Sequence, residues 1–181
     1  MKRTKRKNII RIALCAGALA SLAGCSGTSN GTFSRNSSGL GDPLTQSEFK
    51  KLGKSKGFYS SDLSPAYKKD KTIKSVTVVA NSTSSVNYEL FVFKDTASTK
   101  NLYNMNKTAY QASGLKNKKE TVSEKDNYQS YTVYGKEKKG NKQRYNRIVQ
   151  YKNTVLLASA QGNGMGTAEN FVKKCGYNYK K

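Results

Sequence analysis

Between Lys136 and Arg147 the chain carries six basic side chains, Lys136, Lys138, Lys139, Lys142, Arg144 and Arg147, against one acid, Glu137. Such a run attracts anions, and Tyr128, Tyr131, Tyr134 and Tyr145 lie nearby in sequence as candidate stacking surfaces. An anionic envelope polymer, extracellular DNA or anionic lipid would all meet this description. Lysine far outnumbers arginine in the chain, and arginine is the side chain that grips phosphate bidentately. Contact with anions is therefore expected to be diffuse, which makes nucleic acid the weaker match. The same run equally suits the solvated tip of a hairpin in a basic protein.

Other chemistries are thinly supported. The chain has no histidine, which excludes a Ser-His-Asp or Cys-His centre and any imidazole metal ligand. Two Ser-x-x-Lys pairs, Ser47 with Lys50 and Ser113 with Lys116, lack the further motifs of serine–lysine enzymes and are expected by chance in a chain so rich in both residues. Gly162-Asn163-Gly164-Met165-Gly166-Thr167 lies between a strand and a helix, where phosphate loops occur, but no second strand follows to complete a dinucleotide fold. It reads as a flexible loop. Glu120, Glu124 and Asp126 match neither a calcium loop nor a pair of hydrolytic carboxylates. A non-enzymatic protein with no catalytic residues, no metal and no cofactor is expected.

The amino terminus carries the most specific signal. Residues 2–7 are almost all basic, and an apolar run of twelve residues, 12–23, leads into Leu22-Ala23-Gly24-Cys25. A bilayer-spanning helix needs ~20 apolar residues, so this run is too short and fits the core of a secretory signal peptide. The tetrapeptide Leu22-Ala23-Gly24-Cys25 resembles the lipobox of bacterial lipoproteins. That resemblance covers the first 25 residues and implies cleavage between Gly24 and Cys25, with diacylglycerol on the Cys25 sulfur. It further implies a partner membrane, held through lipid on Cys25, and a place on the extracytoplasmic face of the cell membrane. The richness in Lys, Asn and Tyr suggests a low-GC Gram-positive source.

Three parts are thus expected: a signal peptide 1–24, a Ser/Gly/Asn-rich flexible tether 25–44, and one domain 45–181. The whole chain has 33 basic and 11 acidic residues, net +22; cleavage would remove six basic residues and leave +16. Only Cys25 and Cys175 would survive cleavage, and with the first acylated an intramolecular disulfide is not expected. Cys175 reads as a small buried hydrophobe near a helix end.

The elements that must position these residues follow from local signals. Thr45-Gln46-Ser47-Glu48 is a capping box ahead of a short helix that buries Phe49 and Leu52 and runs to about Ser55. Residues 59–70, with Pro65 and several serines, read as loop. β-Branched and aromatic runs at 73–80 and 87–94 make a hairpin across a polar loop at 81–85. Asp95 caps a long helix over 97–113 with Leu102, Met105, Ala109 and Ala112 on one face, and Gly114 ends it. Strands are expected at 121–135, 143–151 and 154–161, the last two joined at Lys152-Asn153, then a helix capped by Thr167 and running to Lys174. The fold class is α+β: an antiparallel sheet of about five strands with three helices, in the order α-β-β-α-β-β-β-α, the helices mainly on one face. The hairpin register places Tyr145, Arg147, Val149 and Tyr151 on one face with Thr154, Leu156, Ala158 and Ala160, and that face is expected to meet the helices.

Overall fold

A computed structural model describes residues 40–83, 85–125 and 127–177. The expected signal segment 1–24, the cleavage and lipidation positions Gly24 and Cys25, and residues 25–39 of the tether lie outside them.

The capping box forms as its residue types dictate. Thr45 Oγ1 accepts the Glu48 N–H at 3.2 Å and Glu48 Oε2 accepts the Thr45 N–H at 2.8 Å, starting α1 (Gln46–Lys54). Phe49 and Leu52 are buried beneath it as expected, and Gly53 brings the helix backbone against the sheet: a Cβ there would lie 2.6 Å from Val79 Cγ1. The chain continues through β1 (Tyr59–Asp62), a 3₁₀ turn (Ser64–Tyr67), β2 (Ile73–Ala80), β3 (Val86–Phe93), α2 (Thr96–Gln111), β4 (Lys116–Lys125), β5 (Tyr128–Lys136), β6 (Gln143–Tyr151) and β7 (Thr154–Gln161). A second 3₁₀ turn (Gly162–Gly164) leads directly into α3 (Met165–Lys174).

The strands form one antiparallel sheet in the order β1-β2-β3-β7-β6-β5-β4. The α+β class holds, with seven strands in place of about five. One extra strand is β1, within the stretch read as loop. The other comes from division of the expected strand 121–135 into β4 and β5, with Asn127 in the left-handed region at φ 54°.

The β6–β7 register is as expected, Tyr151 opposite Thr154 and Arg144 opposite Gln161. Its predicted inner face does meet helices. Tyr145, Val149, Tyr151, Leu156, Ala158 and Ala160 join Phe49 and Leu52 of α1 and Ala168, Phe171 and Val172 of α3 in one core, with Ala158 only 1% exposed. Each large apolar side chain sealed there contributes roughly 1.5–3 kcal/mol relative to exposure.

The remaining helix, α2, covers the opposite face. Its buried residues are Thr99, Leu102, Tyr103 and Asn106; Met105 is 44% exposed and Ala109 and Ala112 are exposed, so the expected apolar face is rotated. Beneath α2 lie Tyr131, Ile148 and Val155, all buried on the far side of the sheet from Val149 and Leu156. The sheet is therefore packed on both faces, two helices on one and one on the other. Thr167 is not the cap of α3: the helix starts two residues earlier, with Gly164 as N-cap. Gly164 is buried there, and a Cβ on it would meet Ser85 O and Val86 Cγ1, both at 2.8 Å.

Candidate functional site

The six basic residues singled out in sequence do not form one finger. Lys138, Lys139 and Lys142 are exposed at the β5–β6 tip, where Gly140 and Asn141 take positive φ, and Lys136 is half-buried at the end of β5. Arg144 pairs with Glu137 across the tip. Arg147 points inward. It is 8% exposed, and its Nη2 donates to Tyr128 Oη at 3.4 Å and to the Tyr177 carbonyl at 3.3 Å. Its Nε finds no acceptor among the described residues. Burying a guanidinium without a carboxylate partner is costly, so Arg147 is held by phenol and carbonyl oxygens in the core and is withdrawn from any surface contact.

The tyrosines near the hairpin are not stacking surfaces either. Tyr128, Tyr131 and Tyr145 are buried and Tyr134 is half-buried against the main core. What joins the exposed tip instead is β4, the outermost strand, which presents Lys116, Lys118, Lys119 and Lys125 along an exposed edge. Lys116 stands directly opposite Lys136 in the ladder, and Lys118 Nζ is tied to Glu120 at 2.6 Å and to the Gln111 carbonyl at 3.0 Å. Like charges set directly across a ladder repel, so the tip and β4 together make a lysine-rich wing that an anion would stabilise. Val122, 51% exposed on this strand, is the apolar exception.

A second surface escaped the sequence reading. On the face that α2 only partly covers, Asn87 of β3, Ser159 of β7 and Asn146 of β6 form one row, and Arg144 pairs with Gln161 in the next. All five are half-buried. Beside them on β3 is Glu89, whose carboxylate accepts Asn87 Nδ2 at 3.1 Å and has no basic partner among the described ion pairs. Burial pushes its pKa above the ordinary glutamate range, with the Asn87 bond opposing. Tyr110 of α2 lies close enough for the Glu89 charge to add to the rise in its phenol pKa, after burial. This polar floor presents amide, hydroxyl and carboxyl groups together, the set that hydrogen-bonds polyhydroxy or amide ligands. A lone charged residue inside an otherwise uncharged, largely apolar strand, Val86–Phe93, was the available signal.

The raised Glu89 pKa has a sign that can be checked. Its proton is held more tightly in the folded chain than in the unfolded one. No penalty exists below the unfolded value; it accumulates as pH rises from there through the folded value, and stays constant above. Glu89→Gln should therefore melt a few degrees (~3 °C) above the parent at neutral pH, the gap closing below about pH 4. Thermal melts of both proteins at each pH measure it, and a constant gap would contradict the assignment.

Other acids are committed locally. Asp62 Oδ1 accepts the Ser64 N–H at 2.9 Å, Oδ2 accepts Gln46 Nε2 at 2.8 Å and faces Lys50 Nζ at 3.7 Å. Its pKa falls to about 2, chiefly through Ser64. Lys50, a member of one Ser-x-x-Lys pair, is thus an ion-pair residue. Asp70 closes a turn onto the Thr72 N–H at 2.9 Å, and Asp95 caps α2 by accepting the Ser98 N–H at 2.8 Å. Glu120 is occupied by Lys118, while Asp126 lies outside the described residues. No group of three or more His, Cys, Asp or Glu converges among the described residues. Cys175 is fully buried at the end of α3.

An α+β protein built on seven antiparallel strands with helices on both faces is what this geometry defines. No family model matches the chain, and no curated protein does. Among solved structures it is similar to the extracellular domain of PknH from Mycobacterium tuberculosis, with 10% identity and a TM-score of 0.42, covering 74% of this chain and 90% of that one.

Proposed function

We propose that the chain is a lipid-anchored extracytoplasmic lipoprotein whose α+β domain is a non-enzymatic binding module at the cell envelope. The observation that carries this reading is the order of basic head, short apolar run and Leu22-Ala23-Gly24-Cys25 at the amino terminus. The domain supports it by carrying its own core, so it can work at the end of a tether, and by presenting the polar floor around Glu89 as a binding surface. Among the described residues no helix is long and apolar enough to cross a membrane. Fractionation of intact cells tests it: recovery in the membrane fraction, with release by surface protease, is expected. An unlipidated cytoplasmic protein would end the reading.

A second reading is favoured by the Lys116–Lys136 opposition: the lysine wing binds an anionic polymer, a teichoic-acid-like wall polymer or extracellular DNA. Anion contact of this kind is strongly salt-dependent, with a log-log slope of ~0.9 per duplex phosphate neutralised. Affinity for DNA or wall polymer should fall steeply between 50 mM and 200 mM salt, by roughly tenfold or more if a few lysines engage. Salt-independent binding, or none at low salt, removes this reading.

A further inference from the structure

The cleft between α3 and the segment that joins α1 to β1 has a composition unlike the other surfaces. It encloses about 400 Å³, with Phe58 and the edge of Phe171 at its floor, Asn170 on one wall, and Lys56, Lys173 and Lys174 around its rim. Lys173 faces Glu169 at 3.7 Å, whereas Lys56 and Lys174 have no acidic partner among the described ion pairs. These two residues, 118 positions apart in sequence, line the same cleft, and Lys56 pushes the pKa of Lys174 below the ordinary lysine value. Two cations held side by side on an exposed surface repel unless an anion stands between them.

The apolar floor makes the cleft amphipathic. Phe58 is half-buried, stacked on Tyr88 with centroids 5.8 Å apart and tilted against Phe171 at 5.5 Å, so one ring is fixed beneath the lysines. A ligand that suits both features carries a phosphate next to an apolar body. The position of the cleft narrows the choice further. Tyr177, three residues beyond Lys174, accepts the Leu44 N–H on its hydroxyl at 3.0 Å, so the end of α3 adjoins the point where the segment from Cys25 enters the domain. The fourteen residues 26–39 can reach at most ~50 Å.

We propose that this cleft is a headgroup site for anionic phospholipid, Lys56 and Lys174 taking the lipid phosphate and Phe58 meeting the glycerol and upper acyl region. The tethered domain then lies with α3 and the α1–β1 connection against its own membrane, leaving the polar floor around Glu89 and the lysine wing for other partners. The proposal rests on the lipoprotein reading for its source of lipid. Basic side chains near an anionic bilayer act in concert with an anchor, each strengthening adsorption that the other makes local.

The test uses the mature chain, residues 25–181, made without lipid as the Cys25→Ala variant, and vesicles of phosphatidylcholine with or without phosphatidylglycerol. Cosedimentation with the phosphatidylglycerol vesicles is expected, and Lys56→Gln with Lys174→Gln together should weaken it roughly 10- to 30-fold. Replacing Lys138, Lys139 and Lys142 by Gln removes more charge and should weaken it less. Circular dichroism and melting of each variant confirm that these exposed substitutions leave the fold intact. The proposal is overturned if the hairpin triple weakens binding as much as the cleft pair, since a diffuse field then explains adsorption, or if phosphatidylglycerol adds nothing. It is overturned also if inorganic phosphate alone fills the cleft, seen as shifts of the Lys56 and Lys174 resonances, and vesicles compete no better than equal phosphate. Because the probe protein carries no lipid, failure here leaves Cys25 acylation standing, and an unacylated Cys25 in cells leaves vesicle binding to be read on its own.

Discussion

Tyr177→Ala should lower the stability of the domain by about 3–5 kcal/mol, the range for deleting a large buried aromatic. The ring is 1% exposed and packs edge-on to Tyr151 at 5.9 Å. Its hydroxyl accepts the Leu44 N–H and shares a 2.7 Å hydrogen bond with Thr154 Oγ1, which itself donates to the Tyr151 carbonyl, so truncation also strands the buried Leu44 amide. Tyr177→Phe, which keeps the ring and loses only those bonds, should cost about 1–3 kcal/mol. Domains of this size are stable by about 5–15 kcal/mol, so the alanine variant removes a large share and the phenylalanine variant does not. Urea denaturation of both measures the difference. An alanine variant within about 1 kcal/mol of the parent would show that the carboxy-terminal segment does not hold the domain shut.

Tyr177 is one part of a network that sequence could not reveal. Arg147 and Tyr128 both donate to the Tyr177 carbonyl, and Tyr151 Oη donates to the Gly41 carbonyl at 2.7 Å. Two ends of the domain, residues 41–44 and 177, are thereby bound to the same patch of sheet. An arginine in a lysine-rich stretch reads as surface charge because charged residues are almost never fully buried. Only the alternation of β6, which puts Arg147 on the same face as Val149 and Tyr145, carried the opposite message, and that face assignment does hold.

Where local chemistry dictates structure, the sequence was legible. The capping box at Thr45, the Asp95 cap and the stop at Gly114 with φ 63° form as their residue types require, and the Lys152-Asn153 turn forms too, although it puts Lys152 at φ 48°, where lysine is uncommon. Elements without a pattern were lost. β4 is exposed over almost its whole length and shows no alternation of polar and apolar residues, so it merged with β5. β1, Tyr-Ser-Ser-Asp, is four residues paired to β2 on one side only. The mixed face of β6, Arg144, Asn146, Ile148 and Gln150, looked like an outer face, yet α2 covers its Ile148 and Gln150 end and leaves Arg144 and Asn146 as part of the polar floor. That half-covered condition is why the candidate site around Glu89 was missed. Lys56 and Lys174 were beyond reach for another reason: only the packing of α3 beside the α1–β1 connection, Phe58 against Phe171, brings them to one cleft.

The other large effect concerns the anchor. Cys25→Ala removes the only sulfur in the lipobox-like tetrapeptide, and with it the proposed attachment point for diacylglycerol. Two acyl chains anchor a protein stably where one gives only marginal, reversible binding, so losing both should take lipid-dependent membrane retention from nearly complete to nearly none. Acyl label should vanish from the protein and the species of mature mass should disappear, while Cys175→Ala, altering a buried side chain just past α3, should leave labelling unchanged. Labelling that survives Cys25→Ala would place the lipid elsewhere or remove it from the account.

Mass spectrometry of the mature amino terminus from native membranes puts the central claim to its most direct trial. The account predicts a chain beginning at Cys25, with the mass of a diacylglycerol, with or without a further acyl group, on that residue. A chain that keeps residues 1–24, or one cut at another position with an unmodified Cys25, would contradict it.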